Sequence, residues 1–264
     1  MSTEPMLVTA QDARGVVTLT LNRAQAFNSL SEAMLDALQS ELDRIVADES
    51  VRVVIIAAAG KAFCAGHDLK EMRAEPSQAY YERLFAQCAR MMLSIQRLPV
   101  PVIARVQGIA TAAGCQLVAT CDLAVAVREA RFAVSGVNLG LFCSTPSVAL
   151  SRNLSRKAAF EMLVTGNFIS ADEALAKGLV NRVVAADALD AEVEALAAAI
   201  VAKPRVAIAM GKALFYRQLE TGIANAYKDA GQTMACNMMD GAALEGVQAF
   251  IDKRAPSWAG AGKG

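Results

Sequence analysis

The only histidine of the chain, His67, lies in a stretch of small residues that follows an apolar segment. The stretch runs from Gly60 to Glu71 and reads GKAFCAGHDLKE, and the apolar segment before it, residues 51–59, predicts a buried strand. Small residues leave backbone N–H groups uncovered, and the helix that Asp68 starts adds the positive end of its dipole. This pattern predicts a site that binds an oxygen carrying or developing negative charge.

A second turn of small residues follows the next predicted strand. Residues 108–114 read GIATAAG and lead into a helix predicted from Cys115 to about Thr120. The backbone N–H groups of His67 and Ala113 could therefore hold one oxyanion between them, and such donors in a dry site stabilise developing charge by roughly 3 kcal/mol. The plain alternative is that both turns are tight connections without a function, but their repetition after consecutive core strands favours a site.

Other common sites do not fit these residues. Gly60-Lys61 lacks the G-x-x-x-x-G-K-[ST] spacing of a phosphate-binding loop, and residues 108–114 lack the G-x-G-x-x-G of a dinucleotide site. No G-x-S-x-G elbow accompanies the histidine, which excludes a serine hydrolase of that type. The six cysteines form no C-x-x-C pair, so no metal site is expected, and most lie in apolar runs typical of buried thiols in a reducing compartment.

Composition and charge limit the partners and the location. The chain has 264 residues, enough for one α/β domain, and its 26 basic residues balance 26 acidic ones, so neither a nucleic acid nor a membrane is expected as a partner. The longest uncharged run, residues 132–151, is broken by glycine, proline and serine, and we expect it to line a buried site rather than to span a membrane. Residues 1–5 lack the features of a secretory signal, and we expect a cytoplasmic protein.

The pattern of apolar residues predicts strands and helices in alternation. Strands are predicted at residues 6–10 and 15–22, which form a hairpin, and at 51–59, 102–109, 122–127, 131–134 and 180–185. Helices are predicted at residues 29–47, 78–98, 115–120, 156–165, 171–178, 187–202, 206–219, 223–239 and 242–254. Ser29 and Glu32 predict a capping box at the start of the first helix. The methionine-rich stripe of the second helix indicates core packing rather than a cofactor site.

Alternating strands and helices predict an α/β fold. Right-handed crossovers join parallel strands, and ligands bind at the carboxyl ends of such strands. We expect residues 1–200 to form the core that carries the site. Residues 201–264 are expected to form a helical region that packs against partner subunits or against the core.

The chain resembles the crotonase family, which comprises the enoyl-CoA hydratases and isomerases. The segments that carry the resemblance are the two loops at residues 63–69 and 108–117, the Cys-Asp-Leu at 121–123, and residues 21–30, 170–180 and 250–254. Within the early L-N-R-P-x-x-x-N-A-L pattern of the family, this chain has Ala24 in place of proline. These segments are spread along the sequence, and the resemblance covers nearly the whole chain. One subgroup of the family is matched most closely, through residues 63–69, 140–146 and 253–258.

This resemblance implies a spiral of β-β-α turns with a helical C-terminal region that forms trimers, often stacked as hexamers. The ligand would be an acyl-CoA thioester, with coenzyme A as part of the substrate and no other cofactor. Its carbonyl oxygen would lie between the N–H groups of His67 and Ala113, which would stabilise an enolate. The residues that would bind the thioester or its coenzyme A are Arg23, Ala26, Ala65, Gly66, Asp68, Leu69, Gly114, Asn138 and Ser144, with Phe250 and Lys253 coming from a neighbouring subunit.

The chain departs from the family at two positions that matter for catalysis. Hydratases carry two glutamates, and the matching residues here are Gln116 and Gly136. A general acid or base contributes roughly 10²–10⁴-fold to a rate, so hydration should be weak and should rise when both glutamates are restored. In some isomerases the acid lies further along, where this chain has Ser144. The chain could catalyse another enolate reaction, such as decarboxylation, thioester hydrolysis or isomerisation, or it could bind acyl-CoA without catalysis.

Four other side chains leave alternatives open. The ring of His67 could act near neutral pH, or only its backbone N–H could matter. Asp68 could cap the following helix or take part in catalysis. Cys143 and Ser144 are nucleophiles only in principle, because no base is paired with either. Ser135 and Asn138 could bind a polar acyl group. Asp122 is expected to form structural hydrogen bonds.

Overall fold

The computed structural model describes residues 4–260. Residues 1–3, which belong to the segment that was searched for a secretory signal, lie outside this range. So do residues 261–264, at the end of the predicted helical region. The strands are β1 (Leu7–Gln11), β2 (Val16–Leu21), β3 (Val53–Ala58), β4 (Ala62–Cys64), β5 (Val102–Val106), β6 (Ile109–Thr111), β7 (Leu123–Val127), β8 (Arg131–Ala133), β9 (Ile169–Ser170) and β10 (Arg182–Val184). The helices are α1 (Glu32–Ala47), α2 (Leu69–Ala74), α3 (Gln78–Arg97), α4 (Ala113–Thr120), α5 (Ser144–Asn153), α6 (Arg156–Thr165), α7 (Ala171–Lys177), α8 (Leu189–Val201), α9 (Arg205–Leu219), α10 (Ile223–Met238) and α11 (Gly241–Ile251).

The strands form two sheets. The larger sheet has six strands in the order β1-β2-β3-β5-β7-β10, and the smaller one has four in the order β4-β6-β8-β9. The hairpin of β1 and β2 is antiparallel, as is the pair of β8 and β9, and the other pairs are parallel. The predicted α/β class and the N-terminal hairpin are confirmed.

From β3 to β8, successive strands alternate between the two sheets. β3, β5 and β7 join the larger sheet, and each is followed by a strand of the smaller sheet and then by helix. This repeat is the β-β-α spiral that the resemblance implied. The single strand expected at residues 102–109 is therefore two strands, β5 and β6. Gly108 lies between them, where a Cβ atom would overlap the carbonyl oxygen of Lys61, so only glycine allows the chain to pass between the sheets at this point.

The first helix starts later than its sequence pattern suggests. Ser31 is the N-cap of α1, and its hydroxyl accepts a hydrogen bond from the Met34 N–H at 3.2 Å. The predicted cap, Ser29, is wrong, because the chain is still extended at Leu30, which forms a bridge with His67. The local pattern of a serine three residues before a glutamate could not reveal this long-range pairing.

One helix, α5, was not predicted. It begins at Ser144, inside the uncharged run that we expected only to line a site. Serine, threonine and proline at its start are typical of loops, which concealed the helix. Pro146 lies in the first turn, where a backbone N–H has no partner within the helix, so proline is tolerated there.

The core lies between the larger sheet and helices α1, α3 and α8. The stripe of Leu84, Cys88, Met91, Met92 and Ile95 on α3 is buried in it, which confirms the core interpretation of the methionines. Five of the six cysteines are buried, and all six are free thiols. Within residues 4–260 no cluster of acidic, histidine and cysteine side chains could hold a metal ion, and no helix is long and apolar enough to cross a membrane.

The C-terminal helices attach to the core through a buried ionic cluster on α9. The Lys212 ammonium donates to the Asp122 carboxylate at 2.6 Å and to the carbonyl oxygens of Ile95 and Val100. The Tyr216 hydroxyl donates to the other oxygen of Asp122 at 2.7 Å. The structural role expected of Asp122 is confirmed. In contrast, α10 and α11 leave large apolar side chains exposed, among them Ile223, Tyr227, Met234, Leu244, Val247 and Phe250.

Candidate functional site

Three neighbouring parallel strands bring the predicted site residues to one edge of the smaller sheet. β4, β6 and β8 lie side by side, and His67, Ala113 and Gly136 follow them in that order. Gln116 lies on α4, directly after β6. Because the carboxyl ends of parallel strands share an edge, where ligands bind in α/β sheets, the fold assembles both turns and both unusual positions in one place.

The two turns meet backbone to backbone through their glycines. A Cβ atom on Gly66, whose φ is 94°, would lie 2.9 Å from the Ala112 Cβ and 3.3 Å from the Ala113 nitrogen. A Cβ atom on Gly114 would overlap the carbonyl oxygen of Cys64. Only glycine permits this approach at both positions, which places the two predicted N–H donors side by side.

The backbone N–H groups of His67 and Ala113 donate to no group within the described part of the chain. The Leu30 N–H donates to the Gly66 carbonyl at 2.8 Å, and the Asp68 N–H donates to the Leu30 carbonyl at 3.3 Å. The backbone hydrogen bonds to Leu30 therefore involve Gly66 and Asp68, on either side of His67. The N–H of His67 itself points away from Leu30. Ala113 is the first residue of α4, where the N–H has no helical partner and the dipole is positive.

The residue before the second donor is strained. Ala112 has φ 50° and ψ −121°, a conformation that costs a residue with a side chain about 1–3 kcal/mol. The strain is held in place by hydrogen bonds on both sides, since the Ala112 N–H donates to the Ala133 carbonyl and the Gln116 N–H donates to the Ala112 carbonyl, both at 3.0 Å. The surrounding structure thus fixes the direction of the second donor.

Asp68 caps α2 and holds the first turn. Its carboxylate accepts hydrogen bonds from the N–H groups of Lys70 and Glu71, from the Ser29 hydroxyl and from the Arg23 guanidinium, which lies at 3.1 Å. Burial acts to raise the pKa of Asp68, but the bond from Arg23 and the other donors outweigh it and hold the pKa below its ordinary value. The capping interpretation is confirmed, and the donors that surround the carboxylate leave it poorly placed to take a proton.

The ring of His67 lies in an apolar setting. Its edge contacts Phe85 on α3, with the ring centroids 5.5 Å apart, and both ring nitrogens are buried without a hydrogen-bond partner in the described structure. Burial lowers the pKa of His67, although the backbone of Leu30 opposes the shift. The ring is therefore neutral at pH 7.

The positions of the two missing glutamates hold no group that takes a proton near neutral pH. Gln116 is only 5% exposed, and its carboxamide oxygen has no partner. The Gly136 N–H donates to the Cys143 sulfur at 3.3 Å, and a Cβ atom at Gly136 would lie 2.7 Å from that sulfur and overlap the Leu141 carbonyl oxygen. Burial raises the pKa of the Cys143 thiol, although the Gly136 N–H opposes the shift. The thiol is therefore neutral and occupies the space of the absent side chain.

Comparison with known proteins agrees with this geometry. A family model described as enoyl-CoA hydratase/isomerase matches residues 11–261. The chain belongs to this enoyl-CoA hydratase/isomerase family. A crystal structure of an enoyl-CoA hydratase from Mycobacterium smegmatis is 73% identical, superposes with a TM-score of 0.96 and covers 97% of this chain and 99% of that one. The predicted crotonase fold is confirmed.

The predicted subgroup is enoyl-CoA hydratase domain-containing protein 3. The mitochondrial protein of that name from Rattus norvegicus is 45% identical over 255 residues, which cover 97% of this chain and 85% of the rat protein. The human protein's crystal structure is 44% identical, with a TM-score of 0.93 and coverage of 96% and 100%. These relatives confirm the subgroup. They contradict the expected cytoplasmic location, because the vertebrate members of the subgroup are named as mitochondrial proteins.

Several residues that the family resemblance assigned to coenzyme A binding lie away from the two turns or are engaged elsewhere. Asn138 donates to the Gly166 carbonyl at 3.4 Å and so turns toward the end of α6. The Ser144 hydroxyl donates to the Phe142 carbonyl at 3.3 Å at the start of α5. Phe250 is 85% exposed, and its helix packs on α10 rather than on the turns. The positions near the turns are Arg23, Ala26, Ala65, Gly66, Asp68, Leu69 and Gly114, while Lys253 follows α11.

One residue that supports the site was missed by sequence reasoning. Asn28 is fully buried, accepts a hydrogen bond from the Arg23 N–H, and donates to the carbonyls of Ala59 and Ala62 at 2.8 Å each. It therefore fastens the chain before α1 to the strand that leads into the first turn. The asparagine of the early family pattern was a signal for it, but its role depends on contacts that the pattern does not contain.

Proposed function

We propose that this chain binds acyl-CoA thioesters at the edge formed by β4, β6 and β8. The thioester carbonyl oxygen lies between the N–H groups of His67 and Ala113. Two donors that converge on one oxygen stabilise the enolate formed when a bond at the adjacent carbon breaks. Coenzyme A is part of the substrate, no other cofactor is proposed, and the function falls within fatty acid metabolism.

The close approach of the two glycine-lined turns is the observation that supports this proposal most strongly. Gly66 lies against the Ala113 nitrogen, and both donors are unused within the described residues. The α4 dipole adds positive potential on one side of the oxygen. Asp68 and Arg23 satisfy each other, so they stiffen the first turn without placing a net charge in it.

We further propose that the chain is a weak hydratase. Hydration requires a base that activates water and an acid that protonates the adjacent carbon, and each contributes roughly 10²–10⁴-fold. Gln116 orients a water molecule through its amide but takes no proton. Gly136 has no side chain, and Cys143 fills its space. An intact oxyanion pair without these groups suits decarboxylation, in which loss of carbon dioxide forms the enolate and no protein base has to take a proton.

A second candidate function is non-catalytic binding of acyl-CoA. It is favoured by the same observation, namely that neither glutamate position holds a proton-accepting group. In this case the oxyanion pair would serve for recognition of the thioester carbonyl alone. Turnover measured separately from binding distinguishes the two candidates.

The assembly proposed for the chain is a homotrimer, or a hexamer made of two trimers. The exposed apolar side chains of α10 and α11 support it, because a monomer rarely leaves so many together. In such an assembly, Phe250 and Lys253 of one subunit reach the coenzyme A of its neighbour.

The carbonyl of a bound thioester reports directly on the proposed pair of donors. Calorimetry with butyryl-, crotonyl- and malonyl-CoA measures binding, and the infrared stretch of the bound butyryl-CoA carbonyl measures polarisation. We expect binding with a shift to lower frequency. Gly66→Ala should weaken binding at least about tenfold and reverse the shift, because the new methyl group separates the turns. His67→Ala keeps the backbone donor and should keep the shift.

Gly178→Ala is the matched control. Gly178 has φ 87°, similar to that of Gly66, so both variants place a side chain on a residue with positive φ, but the nearest neighbour of Gly178 is a carbonyl oxygen at an ordinary 3.4 Å. Binding should be unchanged. If no thioester binds the unaltered protein, or if Gly66→Ala binds with the full carbonyl shift, the proposed function is wrong. Tight binding with no turnover of any of the thioesters would select the non-catalytic candidate.

A further inference from the structure

The side chain of Gln107 connects two links that run between the sheets. Gln107 lies in the link from β5 to β6, and its Nε2 atom reaches the link from β3 to β4. There it donates to the carbonyl oxygens of Ala58 at 2.9 Å, Ala62 at 3.1 Å and Gly60 at 3.2 Å. Because all three partners are acceptors, the nitrogen of the carboxamide must face them. The two N–H groups of the carboxamide are therefore shared among three carbonyls of the neighbouring link.

These two links lead directly to the two oxyanion donors. β4 follows the first link and ends three residues before His67, and β6 follows the second and ends two residues before Ala113. Each strand has only three residues. The links lie against each other, since a Cβ atom on Gly108 would overlap the carbonyl oxygen of Lys61. A shift of one link along the other would therefore be carried through these short strands to the donors.

The pairing of β4 with β6 fixes their register poorly. β4 is an edge strand of the smaller sheet, with β6 as its neighbour in the described structure. Ala62 pairs with Ile109 and Cys64 pairs with Ala110, so β4 has one residue more than β6 between the two pairs. An extra residue of this kind is left unpaired and disrupts the ladder locally. A further contact is needed to hold the two strands in one register.

Backbone hydrogen bonds fasten the two turns to different parts of the chain. In the first turn, the Ala65 N–H donates to the Phe27 carbonyl at 3.0 Å. In the second, the Ala112 N–H donates to the Ala133 carbonyl on β8 at 3.0 Å. Where the turns meet, the glycine contacts limit how closely they approach but supply no hydrogen bond. Gln107 joins the two frameworks by hydrogen bonds at the opposite ends of β4 and β6.

We propose that Gln107 is a positioning residue for the oxyanion pair. It contacts no part of the thioester in the proposed complex. Its three hydrogen bonds keep β4 and β6 in the register in which the N–H groups of His67 and Ala113 converge on one oxygen. This inference rests on the proposed function and adds to it a residue that acts from the far ends of the strands. A displacement of about 1 Å between such groups is enough to weaken their effect strongly.

The infrared band of the carbonyl of bound butyryl-CoA tests the inference on the full-length protein. Gln107→Met keeps the approximate volume of the side chain and removes its donors. We expect the band to move at least about halfway back toward the frequency of the free thioester and to broaden, because the donors no longer hold one position. Gln107→Glu has the same shape, is ionised at about pH 8 and cannot donate, so it should show the same loss.

Gln39→Met is the matched control. Gln39 is half-buried, as Gln107 is, and its carboxamide donates to Asp43 at 2.7 Å and to Ser94 at 3.0 Å, which links α1 to α3. The variant loses a similar set of hydrogen bonds and should keep the full carbonyl shift. Urea denaturation shows which variants are folded under the conditions of the spectra. If Gln107→Met does not fold, Gln107→Glu decides the test.

A full carbonyl shift in a folded Gln107 variant would overturn the inference while the proposed function stands. The same conclusion would follow if Gln39→Met lost the shift to the same extent, since the effect would then reflect a general loss of stability. The absence of any shift in the unaltered protein would overturn the proposed function itself.

Discussion

At the scale of single residues, Gly136 shows how the site has adapted to a missing carboxylate. The Cys143 sulfur and the Leu141 carbonyl occupy the volume that a side chain at 136 would need. Restoring both glutamates, which the sequence suggested as a route to hydration, therefore meets an obstacle at this position. Gln116→Glu changes only one atom type, whereas Gly136→Glu requires residues 141–143 to move.

We predict that Gly136→Ala lowers the free energy of unfolding by about 2 kcal/mol, because the methyl group overpacks a filled space. Urea denaturation followed by circular dichroism measures the change. Gly211→Ala is the control, since a Cβ atom there meets nothing within 4 Å and alanine is the better helix former by about 1 kcal/mol. If the Gly136→Ala variant were as stable as the parent protein, residues 141–143 could move aside at little cost in free energy, and the prediction would be wrong.

The second residue-scale prediction concerns pH and His67. Burial lowers the pKa of His67 below its ordinary 6.5, so below about pH 6.5 the unfolded chain binds a proton that the folded chain does not. Stability must therefore fall as pH drops through this window. Since His67 is the only histidine, we expect His67→Gln to flatten the decline between pH 7 and 5.5, as measured by urea denaturation at each pH. Parallel curves for the two proteins would contradict the prediction.

At the scale of elements, the Asp122 cluster joins α9 to the strands. Lys212 is 8% exposed, and burial lowers the pKa of Lys212 although Asp122 opposes the shift. The ammonium remains satisfied because it donates to a carboxylate and to two carbonyls. Breaking a buried pair of this kind leaves an uncompensated charge, so the cluster determines whether α9 stays docked.

Lys212→Met should therefore destabilise the protein by about 3–5 kcal/mol in urea denaturation. Adding Asp122→Asn should recover part of the loss, since the amide removes the unpaired charge and still accepts from Tyr216. Arg217→Met removes one partner of an exposed pair with Asp229 on the same helical region and should change stability little. Equal effects of Lys212→Met and Arg217→Met would show that the buried cluster contributes no more than a surface ion pair.

The elements that the sequence predicted well are those whose local pattern agrees with their long-range contacts. β3 is a continuous apolar run because it is buried on both faces, and α3 has a regular buried stripe. Apart from α5, whose first residues are typical of loops, the elements that were predicted wrongly depend on partners far along the chain. Leu30 pairs with His67 and delays α1, and the passage between sheets at Gly108 divides one apolar run into two strands.

The same distinction applies to the candidate site. The two donors were predictable, because small residues after two strands carry the necessary geometry in the local sequence. The strain at Ala112, the sulfur against Gly136 and the fastening role of Asn28 were not, since Asn28 acts on carbonyls 31 and 34 residues away. These features arise only when the turns are packed together.

At the scale of the whole molecule, the exposed apolar side chains of α10 and α11 support the proposed assembly. Met234 is 71% exposed, and Ile223 and Tyr227 lie near it on α10 with 76% each. We predict that the protein is a trimer or hexamer in light scattering and that Met234→Glu shifts it toward monomer, because a buried charge without a partner is costly. Val46→Glu on α1, an apolar residue with 54% exposure, should leave the assembly unchanged.

A monomeric parent protein at micromolar concentration would contradict this expectation. So would an assembly that tolerates Met234→Glu. If the protein is a monomer, Phe250 and Lys253 cannot reach a neighbouring site, and the coenzyme A contacts have to come from within one chain.

The contact between Gly114 and Cys64 has a consequence for attempts to alter the reaction. Since no side chain separates the two turns there, no substitution can tune their spacing in small steps. A mutagenesis library confined to one turn would mostly yield inactive proteins, whereas a library aimed at the surrounding pocket would sample new acyl groups. The two turns form one rigid unit, and chemical diversity in a protein of this shape has to be sought in the residues around them.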